Sequence, residues 1–423
     1  MAETLKSYVE AFADREARPL AVVLGAEHYN ALAVIRALGL QGVPVIAAGN
    51  RAGVGGQLSR FAGERLTYPD FNEDEDGALQ AIVELCRQCR GRGQEPLLFP
   101  TGDRHVEFLM THRETLQPLA RLHLPEDPIL DAVMDKGAQY RLADKLGIPF
   151  PRSWTNEELE GLKRSLERRD VDFPLIFKAR TVLPEYHQNE KFRRVPLRDL
   201  EMLTVLVDEA KNLELEFVVQ EIIPGADDQL FTLGAMMTAG GRLSGIFTGR
   251  KLRQMPPGFG VCRAGENCEI DEIVEHGERL LKAFGFFGIS QVEFKYDARD
   301  DQFKLMEINP RSWSWIGLST RVGVNLPYLY FLDAFGIDVT DAERSGNERV
   351  LWISVWDDLF HSLKHRDQFP LKNLFDGYSG FQEAYFEWGD PKPALRYAGP
   401  MFRQIVRMLG GRLLRKVGLR RHS

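Results

Sequence analysis

The chain has 423 residues, of which 44% are hydrophobic and 27% charged, and its formal net charge is −7. Such a composition is ordinary for a globular protein of two or three domains, and no apolar run reaches the length of about 18 residues needed to span a membrane. The acidic balance argues against nucleic-acid binding by the body of the chain. The N-terminal segment is polar and acidic, unlike a signal or transit peptide.

The four cysteines are too few for a disulfide framework in a chain of this length. Cys86 and Cys89 form a Cys-x-x-Cys pair, but they lie inside a helical pattern, and the sequence has no second pair to complete a zinc site. We therefore expect buried thiols and a cytoplasmic protein.

The first third of the chain predicts a parallel α/β domain. Leu20–Leu24 is predicted as a strand, Tyr29–Leu40 as a helix and Val43–Ala48 as a second strand, which is the beginning of a βαβ unit. A helix over Leu79–Cys89 then leads to a third strand, Leu97–Phe99. Because the glycine fingerprint of dinucleotide sites does not follow the first strand, a dehydrogenase is disfavoured.

The loop after this third strand is polar and contains Thr101, Asp103 and Arg104. Ligands of open α/β sheets bind at the carboxyl ends of the strands, so the loop is a candidate binding site. Thr101 or Asp103 would equally suit the N-cap of a helix predicted over Val106–Leu116. The sequence alone leaves both interpretations open.

After Pro125 the pattern changes. A helix is predicted over Ile129–Leu146, with Lys136 near its beginning, and a strand over Phe173–Lys178 ends in a lysine. A lysine at the end of an apolar strand indicates a phosphate partner, although such a side chain can also extend to the surface. The next segment, Thr181–Val195, contains no glycine and resembles a mobile basic loop; its cations include His187, Lys191, Arg193 and Arg194.

The following segment predicts a mixed α+β unit. The sequence contains no internal repeat and no low-complexity stretch. Strands are predicted over Glu216–Ile223, Leu230–Thr238 and Gly245–Arg250, before a Pro/Gly loop over Met255–Gly260 and a helix over Ile270–Phe284.

The clearest local signal is a β-hairpin, in which Gln291–Tyr296 and Phe303–Asn309 alternate apolar and polar residues around an acidic turn. A turn centred on Asp300 places Glu293 directly opposite Glu307. By the same register, Gln291 lies opposite Asn309.

Two facing carboxylates destabilise a hairpin unless a cation lies between them. Glu307 and Asn309 project from the same face of their strand, and carboxylate and amide oxygens are hard ligands suited to Mg²⁺. Arg311 follows at once and could hold an anion beside the metal. The alternative is an ordinary solvated strand face.

Five features occur in a fixed order along the chain: Lys136, Lys178, a strand followed by Pro-Gly-x-Asp at 224–227, Glu293, and the Glu-x-Asn-x-Arg motif at 307–311. Over about residues 129–330 this order resembles the ATP-grasp superfamily of carboxylate–amine ligases. Within it, the segments VVQEIIPGADDQL, GRKLRQMPPGFG and MEINPRSWSW are most similar to the predicted ATP-dependent carboligases that include D-aspartate ligase.

The resemblance implies a fold of class α/β and α+β in three parts. An N-terminal parallel α/β domain (the pre-ATP-grasp domain) would span residues 1–124. A two-lobed ATP-grasp domain would span 125–345, with a small lobe over about 135–223 and a large lobe over about 224–345. A C-terminal helical extension would occupy 346–423.

The resemblance also implies roles for individual residues. Lys136 and Lys178 would hold the α- and β-phosphates of ATP. Two Mg²⁺ ions, or Mn²⁺ in their place, would be bound by Glu293, Glu307 and Asn309. The hinge that reads adenine and ribose would include Gln220, Glu221, Ile223, Asp227 and Asp228. The γ-phosphate and the substrate carboxylate would be faced by Arg311, Lys251 and Arg253.

The chemistry implied by the resemblance is activation of a carboxylate as an acyl phosphate, which an amine then displaces. This route needs no covalent nucleophile, in agreement with the lack of a Ser–His or Cys–His signature in the sequence. The partners would be a small-molecule carboxylate and an amine, with an amino acid and a cell-envelope precursor suggested by the resemblance. A catalytically silent ATP-binding scaffold is the alternative.

The C-terminal tail differs in charge from the rest of the chain. Residues 401–423 contain seven Arg or Lys and no acidic residue. Phe402–Leu419 has the pattern of a basic amphipathic helix, which we expect Gly410-Gly411 to interrupt. Such a tail could lie on an anionic membrane surface at the inner face of the membrane. It could also pack on the acidic body of the protein or fray into solvent.

Overall fold

The computed structural model describes residues 7–180, 194–339, 343–346, 348–364 and 376–416, with side chains described as far as residue 408. The strands form three sheets, two with four strands each and one with eight. The first sheet lies in the N-terminal part of the chain, and the other two enclose the main cleft.

The N-terminal sheet is parallel, as predicted, with the strand order β3-β2-β1-β4. Alternate residues of β1 belong to two different hydrophobic clusters, so β1 is buried on both faces. The sequence analysis missed β3, because this edge strand is largely exposed and has no apolar run. The four strands are β1 (Arg18–Leu24), β2 (Val45–Gly49), β3 (Ala62–Thr67) and β4 (Gln94–Phe99).

Five helices belong to this part: α1 (Tyr8–Ala11), α2 (Tyr29–Leu40), α3 (Glu75–Gly91), α4 (Asp103–Thr111) and α5 (Arg113–Leu116). Helix α4 has Gly102 at its N-cap. The hydroxyl of Thr101 donates to the carbonyl oxygen of Leu24 (2.7 Å), and Asp103 lies inside the helix. Neither residue is therefore the helix cap, and the loop after β4 remains a candidate binding site.

The single helix predicted over Ile129–Leu146 is wrong, because the structure has two helices there: α6 (Asp127–Met134) and α7 (Lys136–Leu146). The break is at Asp135, whose backbone is extended and whose carboxylate accepts a hydrogen bond from the N–H of Gly137 (2.8 Å). An aspartate in this position stabilises a new helix N-terminus, so Lys136 becomes the first residue of α7.

The second sheet is antiparallel, with the order β5-β8-β6-β7. Its strands are β5 (Ser153–Thr155), β6 (Leu175–Ala179), β7 (Arg194–Leu197) and β8 (Phe217–Glu221). Apolar residues from the sheet form a hydrophobic cluster with those of two helices, α8 (Leu159–Glu167) and α9 (Leu200–Asn212). This small sheet carries Lys178 and Gln220.

The large sheet has the order β13-β12-β9-β10-β11-β15-β16, and β14 pairs with β10. The sequence analysis missed β11 because its buried positions include the charged Arg263 and Glu266. The strands are β9 (Leu230–Met237), β10 (Leu243–Met255), β11 (Val261–Asn267), β12 (Gly288–Asp297), β13 (Gln302–Asn309), β14 (Glu343–Arg344), β15 (Val350–Ile353) and β16 (Gly380–Glu383).

The remaining helices are α10 (Asp271–Phe284), α11 (Gly317–Arg321), α12 (Leu326–Ala334), α13 (Val355–Lys364) and α14 (Lys392–Lys416). The expected interruption at Gly410-Gly411 is wrong, since α14 continues through both glycines. Residues after 346 supply β15 and β16 to the large sheet as well as two helices. Among the helices that the structure describes, none is both long and apolar enough to cross a membrane.

The C-terminal part is joined to the N-terminal domain by a buried carboxylate. Asp390, which is 2% exposed, accepts hydrogen bonds from Arg36 Nε (3.0 Å), the Ser59 hydroxyl (2.7 Å) and the N–H of Arg60 (2.9 Å). Arg36 is itself buried in the domain core. The contact therefore fixes the chain just before α14 against α2.

Replacing this carboxylate should destabilise the fold. Asp390→Ala removes the buried carboxylate partner of Arg36 and leaves it only the more exposed Glu387, 3.4 Å from Nε; breaking such a buried pair costs about 3 kcal/mol. We expect a loss of that size in the free energy of unfolding measured by urea denaturation. As a control, Arg344→Ala removes an exposed pair with Asp271 and should cost less than about 1 kcal/mol. Equal small losses in both variants would contradict the prediction.

Candidate functional site

The hairpin of β12 and β13 forms the centre of the site. Glu293 lies opposite Glu307, and Gln291 lies opposite Asn309, so the register predicted from the sequence is confirmed. All four residues line one cleft. The facing carboxylates are therefore a feature of the folded protein and lie away from the solvated surface.

The physical reason for this register differs from the one assumed. The turn pairs Asp297 with Gln302, so it is not centred on Asp300. A β-bulge at Met306 then shifts the pairing by one residue before Glu307 is reached. Because a shift of one residue moves a side chain to the other face of a strand, the bulge is what directs Glu307 into the cleft.

The two carboxyl groups are close enough to share a hydrogen bond. Burial raises the pKa of Glu293, and the nearby Lys251 only partly opposes this effect. Burial also acts against the charged form of Glu307, but Arg194 and Lys136 outweigh it and hold the pKa of Glu307 below its usual range. The pair therefore favours one proton on Glu293 and a negative charge on Glu307.

Each carboxylate also has a cationic side chain beside it. Lys251 Nζ lies 2.5 Å from Glu293 Oε1, and Arg194 Nη2 lies 3.4 Å from Glu307 Oε1. Arg194 also donates to the carbonyl oxygen of Phe259 (2.8 Å), so it joins the small sheet to the turn after β10. The positive charge that the sequence argument required between the glutamates is supplied here by protein side chains.

The donor atoms fit a hard divalent cation. Two carboxylates and the amide of Asn309 are oxygen ligands of the kind that Mg²⁺ binds, usually together with phosphate oxygens and water. Within the described ranges, this site included, no group of three or more His, Cys, Asp or Glu side chains could hold a metal by itself. A metal at Glu293, Glu307 and Asn309 would accordingly share its coordination shell with a ligand.

The two predicted phosphate-binding lysines lie close to these carboxylates. Burial lowers the pKa of Lys178 to about 7, and the positive charge of Arg194 adds to the effect. Burial lowers the pKa of Lys136 as well, against the attraction of Glu307. An anion bound beside the two ammonium groups would restore their charged form.

The side chain of Gln220, expected to read adenine, instead holds one of these lysines. Its amide oxygen accepts from Lys178 Nζ (2.6 Å), and its amide nitrogen donates to the Ser153 hydroxyl (2.8 Å). The neighbouring Glu221 accepts from the N–H of Arg152 (3.1 Å). Ile223 is buried. The hinge positions are therefore well fixed, with their side chains directed to other protein groups.

The two aspartates proposed for ribose differ in their surroundings. The Asp227 carboxylate accepts three hydrogen bonds, from the backbone and side chain of Gln254 and from the N–H of Gly258. It thereby fixes the turn after β10. Asp228 is half-buried and accepts from the adjacent Gln229 (3.3 Å). Of the two, Asp228 is less committed to other protein groups.

Arg253 is not where the sequence analysis placed it. It lies on β10, which continues past Lys251, and its guanidinium is buried against Asp358 of α13 (2.7 Å). Arg263 contacts the same carboxylate (3.1 Å). The expectation that Arg253 faces the γ-phosphate is wrong for this structure, because burial next to Asp358 holds the side chain outside the cleft lining.

The cleft has a volume of about 890 Å³ and lies between the small sheet, the large sheet and the N-terminal domain. Its charged lining residues, with the adjoining Lys178, comprise five cations and three carboxylates within the described part of the chain. In a protein of net charge −7, this local positive excess favours an anionic ligand. These residues are Lys136, Lys178, Arg194, Lys251, Arg311, Asp103, Glu293 and Glu307.

The sequence analysis missed the contact between Asp103 and Arg311. Arg311 Nε and Nη2 donate to the two carboxylate oxygens of Asp103 at 2.9 and 3.1 Å. Asp103 was noted only as part of a polar loop. Since the two residues are separated by 208 positions in the chain, the local sequence carried no signal of their pairing.

Other expectations for the site fall on residues outside those that the structure describes. His187, Lys191 and Arg193 belong to this group, so the basic loop expected there stays a prediction. The N-terminal domain adds lining residues that the sequence analysis had not selected: His28, Tyr29 and Asn30, which follow β1.

Comparisons with known proteins agree with this description. Residues 260–355 match a family model described as ATP-grasp in the biosynthetic pathway with Ter operon. The chain is 21% identical to D-aspartate ligase of Enterococcus faecium over 309 residues, which cover 69% of this chain and 72% of that protein.

Solved structures share the fold at low identity. One is the biotin carboxylase domain of 2-oxoglutarate carboxylase from Hydrogenobacter thermophilus, in complex with MgADP, ADP and bicarbonate: TM-score 0.59, identity 16%, coverage 78% of this chain and 73% of that one. Another is L-amino acid ligase from Bacillus licheniformis: TM-score 0.54, identity 16%, coverage 76% and 75%. Residues 260–355 therefore resemble an ATP-grasp family, and the chain has the ATP-grasp fold.

The shared proton on the carboxylate pair leads to a prediction about metal affinity. Protons compete with a metal for Glu293, whose pKa is raised by burial, so Mn²⁺ affinity in the presence of ADP should fall as the pH is lowered toward that pKa. Free Mn²⁺ can be quantified by electron paramagnetic resonance.

The substitution Glu293→Gln should weaken Mn²⁺ binding at pH values above that pKa and remove most of its pH dependence. Glu275→Gln is the control, since Glu275 lies on an exposed face of α10. Wild-type affinity that does not change with pH would contradict the assignment of the shared proton.

Proposed function

We propose that the protein is an ATP- and Mg²⁺-dependent ligase that activates a carboxylate as an acyl phosphate and joins it to an amine. The observation that carries this proposal is the facing Glu293–Glu307 pair in a cleft with an excess of cations. Two carboxylates that face each other in this cleft lower the stability of the folded protein when no ligand is bound. They are useful where metals must be held against a triphosphate.

In this proposal Glu293, Glu307 and Asn309 would hold the Mg²⁺ ions. The metals would neutralise charge on the β- and γ-phosphates during phosphoryl transfer. Lys136 and Lys178 would contact the α- and β-phosphates, and the buried amide of Gln220 would keep the Lys178 ammonium in place. The presence of MgADP in the structurally similar carboxylase domain supports this assignment.

The cations that now contact the glutamates would serve the reacting groups. Lys251 and Arg194 already lie in the cleft, and bound metals would take over their carboxylate partners. Both side chains would then be available to the γ-phosphate. Arg311 would stabilise the oxyanion of the tetrahedral intermediate, a role for which preorganised donors are effective. Arg253 is left out of this set because it is paired with Asp358.

The cleft does not favour a covalent mechanism through its cysteine. Cys262 lines the cleft, but burial raises the pKa of its thiol well above the usual range. A thiol that stays protonated is a poor nucleophile. Direct attack of the amine on an acyl phosphate requires no such nucleophile and agrees with this arrangement.

The substrates are proposed by class. The acid is a small carboxylate, and an amino acid is supported by the likeness to D-aspartate ligase and to L-amino acid ligase. The amine would be a small molecule, and a cell-envelope precursor follows from the first of these likenesses alone. The cleft walls formed by His28 and by the loop after β4 would contact these substrates, because they line the same cleft as Arg311.

A catalytically silent ATP-binding scaffold is the second candidate. It would use the same nucleotide contacts but would have no need of two metal carboxylates. The retention of Glu293, Glu307 and Asn309 in one cleft therefore favours the enzyme. Turnover decides between the two candidates.

The decisive measurement is ADP release with panels of acids and amines. Glu307→Gln removes one metal ligand and should reduce turnover by at least about 100-fold, with little change in the thermal unfolding midpoint. Asp301→Asn, in the exposed turn of the same hairpin, is the matched control and should retain full activity. Full activity of Glu307→Gln would refute the metal assignment, and ADP release absent with every pair of substrates would favour the scaffold.

We also propose that the C-terminal helix brings the protein to an anionic membrane surface, on the cytoplasmic side. Leu395, Phe402 and Val406 are exposed by 72%, 59% and 50%, and their spacing of seven and four residues places them on one face of α14. Trp388, just before the helix, is 90% exposed. The helix sequence contains seven Arg or Lys and no acidic residue, which suits anionic lipid.

Liposome co-sedimentation tests this surface. Removal of residues 401–423 should abolish partitioning to vesicles that contain anionic phospholipid, and so should the paired change Phe402→Asp with Val406→Asp, which alters only exposed residues. Vesicles of phosphatidylcholine alone should bind neither the wild type nor the variants. Unchanged partitioning of both variants to anionic vesicles would exclude membrane contact through this helix.

A further inference from the structure

We infer that Asp103, in the N-terminal domain, is a positioning residue that orients Arg311 for the reaction. The inference rests on the proposed function, in which Arg311 stabilises the reacting carboxyl. The two side chains form a salt bridge from the loop after β4 to the end of β13. The orientation of Arg311 thus depends on a domain that carries none of the proposed metal or phosphate contacts.

The hydrogen bonds of Arg311 fix the plane of its guanidinium. Nε and Nη2 form the bidentate contact with Asp103, Nη2 also lies 3.3 Å from Asn309 Oδ1, and Nη1 donates to the carbonyl oxygen of Ser312 (3.0 Å). A guanidinium has five N–H groups. Four are used by these contacts, which leaves one N–H on Nη1 without an acceptor among the residues described.

The position of Asp103 is itself well determined. It is the first residue of α4, directly after the N-cap Gly102, so its backbone is part of a regular helix. Its carboxyl group stays ionised because Arg311, against the effect of burial, holds its pKa below the usual value. A bidentate contact between a rigid carboxylate and an arginine gives more geometric specificity than a single hydrogen bond.

Arg311 needs such an anchor because another carboxylate competes for it. The ionised Glu307 attracts its charge, and Glu307 is a proposed metal ligand. Without Asp103, the flexible side chain would be drawn toward this glutamate. Asp103 therefore pairs with Arg311 in place of Glu307, which leaves Glu307 to the metal and Arg311 to the reacting carboxyl.

The test is Asp103→Asn, which keeps the shape of the side chain and removes its charge. We expect kcat to fall by about 10- to 100-fold, as for a misplaced catalytic group, with the KM for ATP changed by less than about twofold. Asp103→Glu, which restores the charge, should recover part of kcat. In an Arg311→Ala background, Asp103→Asn should cause no further loss, because residues that act through one another are not additive.

Asp390→Asn is the matched control for loss of an interdomain carboxylate. Asp390 is likewise bonded to an arginine, but it is more deeply buried than Asp103 and lies outside the cleft lining. This variant should lower the thermal unfolding midpoint and leave kcat unchanged. If Asp103→Asn reduces kcat no more than Asp390→Asn, or if its effect adds fully to that of Arg311→Ala, the positioning role is overturned.

A readout independent of turnover separates this inference from the proposed function. The Nε–Hε signal of Arg311 in ¹⁵N-labelled protein, assigned by its loss in Arg311→Lys, should exchange slowly in the wild type and rapidly in Asp103→Asn. An unchanged signal would overturn the positioning role even in an active enzyme. Wild-type kcat in Arg311→Ala, by contrast, would remove Arg311 from the proposed mechanism and with it the catalytic purpose of Asp103.

Discussion

The opposition of Glu293 and Glu307 is the constraint on which the rest of this structure depends. Two facing carboxylates on neighbouring strands repel each other, and the protein accommodates them by raising the pKa of Glu293 and by placing Lys251 and Arg194 beside the pair. That arrangement requires the small sheet, which supplies Arg194, and a strand β10 long enough to carry Lys251. Much of the architecture around the cleft can be understood as the surroundings that make this pair tolerable.

The N-terminal domain contributes to the site as well as to the fold. In its parallel sheet, the order in which successive strands are added reverses between β1 and β4. The loops after these two strands line the cleft. Through Asp103 one of them also holds Arg311. The C-terminal part is bound to the same domain by Asp390. Both contacts are charged, and both join segments far apart in the chain. The relative placement of the domains is therefore determined by a few specific ion pairs in addition to apolar packing.

Several side chains with attractive sequence positions have structural tasks here. Asp227 fixes a turn, Gln220 holds Lys178, and Arg253 is buried against Asp358. In each case the residue type suited a ligand contact, but a protein partner satisfies its hydrogen-bonding capacity. Burial makes this outcome favourable because an unpaired buried polar group is costly. The side chains that still have hydrogen-bonding groups available to a ligand in the cleft are the ones assigned to the proposed chemistry.

The sequence by itself determined the parallel N-terminal domain and the facing Glu293 and Glu307 of the hairpin, because these depend on apolar periodicity and turn residues. The lysines of the cleft followed from the resemblance to ATP-grasp ligases. The sequence could not reveal β3 and β11, whose exposure or buried charge hides the strand pattern, nor the helix break at Asp135. Only the tertiary structure decided the pairing of Asp103 with Arg311 and the bulge at Met306 that directs Glu307 inward. Such contacts join residues distant in sequence or depend on strand register, and neither leaves a signal in a local pattern.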